Sequence, residues 1–169
     1  QVYLDFAAYS DIAIGAAKVM GVKLMTNFRH PFLSTSLSEL WRRWHISLMT
    51  WFRDYIFLPL CNKNDTVVKR SLIILLIFFI SGLWHGANWT FLFWGFFHGA
   101  LLCIFRLFSW EQFTPATLVG RIWRVVLMFH LVCFGWLLFR AEDLSQVAAF
   151  THLIFTDFRM TPVAMSMLT

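Results

Sequence analysis

Two histidines lie in aromatic, almost uncharged stretches of this sequence, and imidazole is the side chain best suited to moving protons near neutral pH. His45 follows Trp41–Trp44 (WRRW), and His85 lies in Ser81–Gly86 (SGLWHG). His85 ends a long apolar run, where an ionisable group is costly and usually functional. A neutral imidazole in a desolvated pocket can take a proton from a hydroxyl group. We therefore regard His85, assisted by His45, as the candidate catalytic residues.

Residues next to the two histidines are candidates for binding substrate. The indole rings of Trp84 and Trp89 can form the walls of a pocket. Gly82 and Gly86 flank His85 and are expected to leave space for a substrate. The candidate substrate-binding residues are Trp44, Trp84, Asn88 and Trp89.

The remaining histidines are weaker candidates. His98, in Gly95–Gly99 (GFFHG), lies in the next apolar run. A histidine there can simply hydrogen-bond to a neighbouring helix, and this structural interpretation is favoured for His98, as it is for His30, His130 and His152. The histidines lack the spacing of a zinc site, and no thiolate or carboxylate is placed to complete one. We expect no metal and no bound cofactor.

Composition indicates a membrane protein. Hydrophobic residues make up 59% of the sequence and charged residues only 14%, whereas charged residues make up about 25% of a soluble domain. The 20 Phe and 9 Trp residues add to the excess, because aromatic rings favour bilayer interiors and interfaces. We predict an all-α, polytopic integral membrane protein. The start at Gln1, without a signal peptide, indicates a fragment of a longer chain.

The net charge of +5 is explained by membrane topology. Lys and Arg cluster at the ends of the apolar runs, which favours anionic lipid headgroups as partners rather than nucleic acid. Positive charges in 62–70 and 106–124, and their absence from 84–90, predict that the first two regions are cytoplasmic and the third faces outward. Three cysteines without a Cys-x-x-Cys pair are interpreted as structural: Cys61, Cys103 and Cys133.

Apolar periodicity predicts one membrane domain over residues 1–169. Its helical segments are about 1–22, 37–58, 71–85, 89–106, 121–140 and 144–155. Ser36 and Glu39 have the spacing of a capping box at the start of the second segment. One face of that segment collects aromatic and apolar side chains together with a histidine: Trp41, Trp44, His45, Leu48, Phe52 and Tyr55.

The first segment mixes small residues with two aspartates, a pattern typical of a helix packed inside a membrane protein. We interpret Asp5 and Asp11 as packing or arginine-pairing groups, with a catalytic carboxylate as the alternative.

The length of the third segment predicts that His85 lies within the membrane. Ser71 to Trp84 is about 14 residues, or roughly 21 Å of helix, whereas the hydrocarbon core is roughly 30 Å thick. Non-helical backbone at 86–88 then requires burial in protein or a water-filled cavity. A hairpin whose tip lies at the bottom of a funnel explains both the short helix before His85 and the non-helical backbone after it.

Several motifs follow one another along the chain. They are Tyr3–Gly15, Asn27-Phe28, Pro31-Phe32, Trp41–Leu48, Trp51–Tyr55, Ser81–Gly86, Trp136 and Phe139–Ala141. This ordered series resembles the membrane-bound O-acyltransferase family, in its bacterial branch of alginate O-acetylation and teichoic acid D-alanyl transfer. The chain departs from the family pattern at Ala8, where glycine is expected, and at Cys61-Asn62, where Gly-Gly is expected. Neither departure touches the two histidines.

The resemblance implies a multi-helix fold with tilted, short and partly re-entrant helices. It implies that His85 and His45 occupy the positions of the family's characteristic histidines, at a constriction within the membrane. The implied reaction moves an acyl group, with acetyl favoured, from a cytoplasmic thioester such as acetyl-CoA or an acyl carrier. The acceptor is a hydroxyl of an extracytoplasmic polysaccharide such as alginate, or a periplasmic acetyltransferase partner. The location is the bacterial inner membrane.

Other functions stay open at this point. The acyl group can be D-alanyl or another group, transferred to a different envelope polymer. The intramembrane histidines can relay protons in a transporter, or the chain can be a non-catalytic scaffold for a partner acyltransferase.

Overall fold

The computed structural model describes residues 1–112 and 115–157, and its regular structure in these ranges is helical throughout, which confirms the all-α prediction. Part of the predicted loop at 107–120, and the residues after 157, lie outside the described residues. In chain order the elements are α1 (Val2–Val19), a 3₁₀ turn (Pro31–Leu33), α2 (Leu37–Arg43), α3 (Ile46–Phe52), a π-helical turn (Arg53–Phe57), α4 (Leu58–Leu60), α5 (Val67–His85), α6 (Trp89–Leu107), α7 (Leu118–Arg140) and α8 (Leu144–Thr156).

In the part of the chain that the structure describes, three helices, α5, α6 and α7, are long and apolar enough to cross a membrane. They contain 19, 19 and 23 residues. At about 1.5 Å per residue, 19 residues extend about 28 Å, close to the roughly 30 Å of the hydrocarbon core. Side-chain oxygens cap all three, because Thr66, Asn88 and Thr117 each accept a hydrogen bond from a first-turn backbone N–H.

Glycines let α5 and α6 approach until their backbones touch. A Cβ atom at Gly95 would meet the carbonyl oxygen of Phe78, and one at Gly82 would meet the carbonyl oxygen of Phe91. Small residues commonly permit such close approach between membrane helices. A Cβ atom at Gly86 would lie 2.7 Å from the Phe91 ring. Gly82 and Gly86 therefore serve helix packing, which corrects the expectation that they leave space for a substrate.

The predicted continuous helix at 37–58 is wrong, because the chain turns sharply at His45. This residue has left-handed backbone angles (φ 45°, ψ 53°), and Trp44 before it is extended. The backbone groups released by the break bond to an upstream loop: Ile46 N donates to Asn27 O, and Arg29 N donates to Arg43 O, both at 3.0 Å. Tertiary hydrogen bonds thus replace helical ones, and the single aromatic face of the predicted helix is lost. Tyr55, for example, is 69% exposed.

The two arms α2 and α3 form a V, which we call the V element, with its tip at Trp44-His45. At the tip, the ring of Trp44 packs on that of Trp136 in α7, with centroids 4.4 Å apart. At the open end, Arg124 near the start of α7 donates to Thr35 O at 3.1 Å. The open end of the V element therefore lies beside the start of α7, and its tip lies nearer the end of α7.

The predicted cap of α2 is present. Ser36 Oγ accepts from Glu39 N at 3.2 Å. The Glu39 carboxylate accepts from Thr35 N at 2.8 Å, one residue earlier than in a standard capping box. It also pairs with Arg43.

Most positive residues of the three long helices lie at one end, as the topology prediction requires, and Arg140 in the last turn of α7 is the exception. Lys69 and Arg70 lie in the first turn of α5, Arg106 in the last turn of α6, and Arg121 and Arg124 near the start of α7. Helix α5 begins at Val67, four residues before the predicted start, but the added turn carries these charges. The apolar part still begins at Ser71, and the depth of His85 in the membrane stays a prediction.

The prediction that the first segment packs inside the protein does not hold within this chain. Only Ser10 and Ala17 of α1 are buried, since the helix contacts the rest of the described chain through one face. Asp5 and Asp11 are exposed, and neither forms an ion pair with a described residue. The apolar side chains left exposed on α1 include Leu4, Ile12 and Val19.

Candidate active site

His45 and His85 line the same small cavity, of about 50 Å³. His45 comes from the tip of the V element and His85 from the last residue of α5. Two candidates that are 40 positions apart in the sequence are thus brought together, because the V element docks between α1, α5, α6 and α7. The lining residues are Val2, Phe6, Trp41, Trp44, His45, Leu48, Met49, Ser81, His85, Trp94, Trp136 and Phe139.

Aromatic rings hold His85 in place. Its imidazole lies edge to face with Trp94 (centroids 5.1 Å apart) and Phe139 (4.9 Å), and it also contacts Trp84 at 4.9 Å. The ring is half-buried. Within the described residues no side chain or backbone group hydrogen-bonds to it. Among the described residues, ring packing therefore sets its position, and neither ring nitrogen bonds to a described group.

Polar contacts hold His45. Its ring meets Phe6 edge to face at 4.6 Å, and Ser47 Oγ lies 3.4 Å from its Nδ1. Ser47 is itself bonded to the side chain of Asn27, at 2.6 Å from Oγ to Oδ1. Asn27 Nδ2 donates to Ser10 Oγ at 2.9 Å. The loop residue Asn27 thus ties α1 to the tip of the V element.

His45 is neutral at physiological pH. Burial, with a smaller contribution from the nearby His85, lowers its pKa to about 4. Desolvation disfavours the charged imidazolium, which explains the direction of the shift. A neutral imidazole can accept a proton or a hydrogen bond at this position.

The four predicted substrate-binding residues are distributed unevenly. Trp44 lines the cavity, whereas Trp84 and Trp89 lie outside it, 62% and 68% exposed. Asn88 also lies outside, accepting from Thr90 N at 3.2 Å and donating to the carbonyl oxygen of Glu142 at 2.8 Å. For these three residues, contact with substrate stays a prediction.

His98 is buried among aromatic rings outside the cavity lining. It is 1% exposed, and its ring lies 5.0 Å from Trp41 and 5.3 Å from Trp94. A Cβ atom at Gly135 would meet His98 Nε2, so the imidazole fills the contact between α6 and α7. The packing supports a structural role through ring contacts, but the expected hydrogen bond to a neighbouring helix is absent, because neither ring nitrogen of His98 has a hydrogen-bond partner among the described residues. The remaining histidines are exposed, at positions 30, 130 and 152.

A larger pocket of about 540 Å³ adjoins the histidine cavity. Trp41 and Met49 line both, so they form the partition between them. Three arginines, Arg29, Arg42 and Arg53, lie around the larger pocket, and its walls are mainly apolar. Within residues 1–112 and 115–157, no three His, Cys, Asp or Glu side chains lie close enough together to hold a metal ion.

Several residues of the site were missed by reasoning from sequence patterns. Asn27 is named only within a motif of the family resemblance, since no local pattern shows that it bonds to the tip of the V element. Trp94 precedes His98 by four residues, and Trp136 precedes Phe139 by three. This helical spacing identifies shared faces, but it does not reveal which face meets a histidine.

Comparison with known proteins identifies the class. The model of the membrane-bound O-acyltransferase family matches residues 1–141, and the chain belongs to this family, as the motifs indicated. The family and the three apolar helices make it a membrane protein.

Among individual relatives, the chain is 46% identical over 145 residues to the probable alginate O-acetylase AlgI of Azotobacter vinelandii, covering 86% of this chain and 28% of that protein. It is 36% identical over 148 residues to the peptidoglycan O-acetyltransferase of Helicobacter pylori (86% and 28%). It is 33% identical over 151 residues to the teichoic acid D-alanyltransferase of Bacillus subtilis (83% and 38%). The chain thus spans between 28% and 38% of the length of these relatives.

Proposed function

We propose that this chain carries the catalytic centre of an O-acyltransferase that moves an acetyl group from a cytoplasmic thioester to hydroxyl groups of an extracytoplasmic polysaccharide such as alginate. The enzyme crosses the bacterial inner membrane several times and holds no bound cofactor. The single observation that carries the proposal is the convergence of His45 and His85 on one cavity.

The chemistry requires one proton acceptor close to the acyl carbon. A hydroxyl oxygen of the acceptor attacks the thioester carbonyl, so that a C–O bond forms and the C–S bond breaks. The hydroxyl proton passes to a neutral imidazole, and the leaving thiolate then takes up a proton. Such general base catalysis contributes roughly 10²–10⁴-fold. His85 serves as base or positions the acyl group, and His45 assists.

The larger pocket supports a thioester donor. Coenzyme A and acyl carriers both present a phosphate followed by an uncharged thiol arm. Arginine binds phosphate through paired N–H donors, and three arginines lie around this pocket: Arg29, Arg42 and Arg53. Arg53 also pairs with Asp54 at 2.7 Å. A thiol arm in the apolar part of the pocket would reach the histidine cavity past Trp41 and Met49.

The histidine cavity favours acetyl over D-alanyl. A water molecule needs about 10–15 Å³ of such space, so about 50 Å³ accommodates a group of a few heavy atoms. An acetyl group has three. A D-alanyl group is larger and carries an ammonium, and the described lining includes no carboxylate to pair with it. The higher identity to the relative named for O-acetylation points the same way.

The relatives also support a polymeric acceptor, because those named for alginate and peptidoglycan act on envelope polysaccharides. The turn between α5 and α6 lies opposite the end that gathers Lys69, Arg106 and Arg121. By the positive-inside rule this turn faces outward, which supports a position for His85 on the acceptor side. The acyl group passes there to the polymer directly or to a periplasmic acetyltransferase partner.

The test uses the purified full-length protein in liposomes with a labelled acetyl thioester and polysaccharide. We expect His85→Ala and His45→Gln each to lower transfer roughly 100-fold. His130→Gln is the matched control, because His130 is exposed on α7 outside the cavity. Size-exclusion profiles check that each variant is folded. A folded His85→Ala protein that transfers acetyl at the wild-type rate contradicts the proposal.

The same assay decides the acyl group. The second candidate is D-alanyl transfer, which the similarity to the teichoic acid D-alanyltransferase favours. With both thioesters offered at equal concentration, we expect acetyl to be transferred faster. Preferential transfer of D-alanyl contradicts the assignment of acetyl while leaving the reaction type intact.

A further inference from the structure

The amide of Asn27 has only one orientation that satisfies its neighbours. The backbone N–H of Ser47 lies 3.2 Å from Asn27 Oδ1 and can only donate, so the atom facing it must be the oxygen. The amide nitrogen then faces Ser10 and donates to its Oγ at 2.9 Å. Asn27 therefore presents an acceptor to Ser47.

This acceptor determines where the hydroxyl proton of Ser47 points. Ser47 Oγ lies 2.6 Å from Asn27 Oδ1, and a carbonyl oxygen offers no proton of its own. The single hydroxyl proton is therefore directed at Asn27. Only lone pairs of Ser47 Oγ remain for its other neighbour, His45 Nδ1, at 3.4 Å. That contact is a hydrogen bond only when Nδ1 carries the proton.

A neutral imidazole has one N–H, so a proton on Nδ1 leaves Nε2 as an acceptor. We infer that Asn27 and Ser47 are positioning residues that hold His45 in its Nδ1–H tautomer and so leave His45 Nε2 as an unprotonated acceptor that can assist His85. The catalytic consequence rests on the proposed function, whereas the tautomer itself does not. His85, held only by rings, has no comparable partner among the described residues.

The backbone strengthens this arrangement. Asn27 O accepts from Ile46 N, and Arg29 N donates to Arg43 O, so both sides of His45 are fixed to one loop. His45 has left-handed angles, which non-glycine residues adopt mainly where the surrounding structure enforces them, often at functional sites. The loop that sets the tautomer thus also sets the direction of the ring.

The decisive measurement is ¹⁵N NMR of the full-length protein in liposomes near neutral pH, labelled at histidine, with the His45 signals identified by their loss in His45→Gln. We expect Nδ1 protonated and Nε2 unprotonated in the wild type. In Asn27→Ala the Ser47 hydroxyl is released to donate to Nδ1, so the ring proton should move to Nε2. Asn27→Asp keeps the acceptor, and Ser10→Ala leaves it untouched, so both should retain the wild-type tautomer.

Transfer kinetics supply the second readout. We expect Ser47→Ala to lower kcat roughly tenfold or more, as mis-set tautomers do in other enzymes, with KM little changed. Ser47→Thr restores the hydroxyl and should restore kcat, and Ser10→Ala should transfer at the wild-type rate.

Each failure has a distinct signature. A wild-type His45 protonated on Nε2, or an unchanged tautomer in Asn27→Ala, overturns the inference whatever the transfer rates are. Full activity of Ser47→Ala overturns its catalytic consequence. If His45→Gln itself transfers acetyl normally, the role of His45 in the proposed function fails, while the NMR result still decides the tautomer.

Discussion

Replacing Gly95 with alanine tests how closely α5 and α6 are packed. A Cβ atom at this position would lie 3.0 Å from the carbonyl carbon of Phe78, whereas carbon atoms in contact lie about 3.5–4.0 Å apart. The obstacle is backbone, which cannot rotate away as a side chain can. The two helices must therefore separate by about 0.5–1 Å, which forfeits a quarter to a half of the dispersion energy along the interface.

The magnitude follows from two opposing terms. Overpacking of a tight interface costs about 1–3 kcal/mol, and a backbone obstacle favours the upper part of that range. Alanine in place of glycine inside a helix gains about 1 kcal/mol. We therefore expect Gly95→Ala to lower the free energy of unfolding by about 1–2 kcal/mol. Gly82→Ala meets the Phe91 carbonyl in the same way. The same separation of α5 from α6 makes room for both alanines. The double variant should therefore lose less unfolding free energy than the two single variants together, by about 0.5 kcal/mol or more.

The assay is reversible unfolding of the full-length protein in mixed micelles with increasing SDS. Gly15→Ala is the matched control, because nothing described lies within 4 Å of a Cβ atom there. It should gain up to about 1 kcal/mol from helix propensity alone. The reasoning is refuted if Gly95→Ala is as stable as Gly15→Ala, since alanine would then fit between the helices without displacing them.

Two further predictions use the same unfolding assay. The lowered pKa of His45 means that the unfolded state takes up the proton first, so stability falls as the pH drops below about 6.5. Between about pH 7.5 and 5, His45→Gln should lose about 1 kcal/mol less than the wild type, after allowance for the partial exposure of the ring; equal losses would show that His45 titrates normally. Asn88→Asp keeps the acceptor for Thr90 N but loses the donor to the Glu142 carbonyl, an exposed hydrogen bond, and should cost about 0.5–1.5 kcal/mol of stability with the KM for the acceptor unchanged. A raised KM at wild-type stability would instead place Asn88 at the substrate.

Local patterns predicted much of this fold correctly. The three apolar helices, the Ser36 cap and the gathering of positive residues at one end all follow from rules that act within a few residues. The family and the importance of the two histidine motifs were also accessible from sequence, because those motifs occur in a specific order.

The break in the helix at His45 could not be predicted from local sequence patterns. The segment around it has helical periodicity and contains neither glycine nor proline, so local rules favour a continuous helix. The turn is stabilised by hydrogen bonds to Asn27 and Arg29, which lie well upstream. Tertiary contacts thus override propensity at His45, a residue of the proposed site, as is common at functional sites.

The tip of the V element also affects when the enzyme can become active. Asn27, Ser47 and His45 are synthesised well before α7, yet Trp136 and Phe139 of α7 complete the wall around the two histidines. Contacts between distant parts of a chain form late, and N-terminal regions emerge from the ribosome first. We expect a nascent chain to hold a correctly bonded His45 without a closed cavity. On the proposed function, acyl transfer then begins only after α7 has inserted.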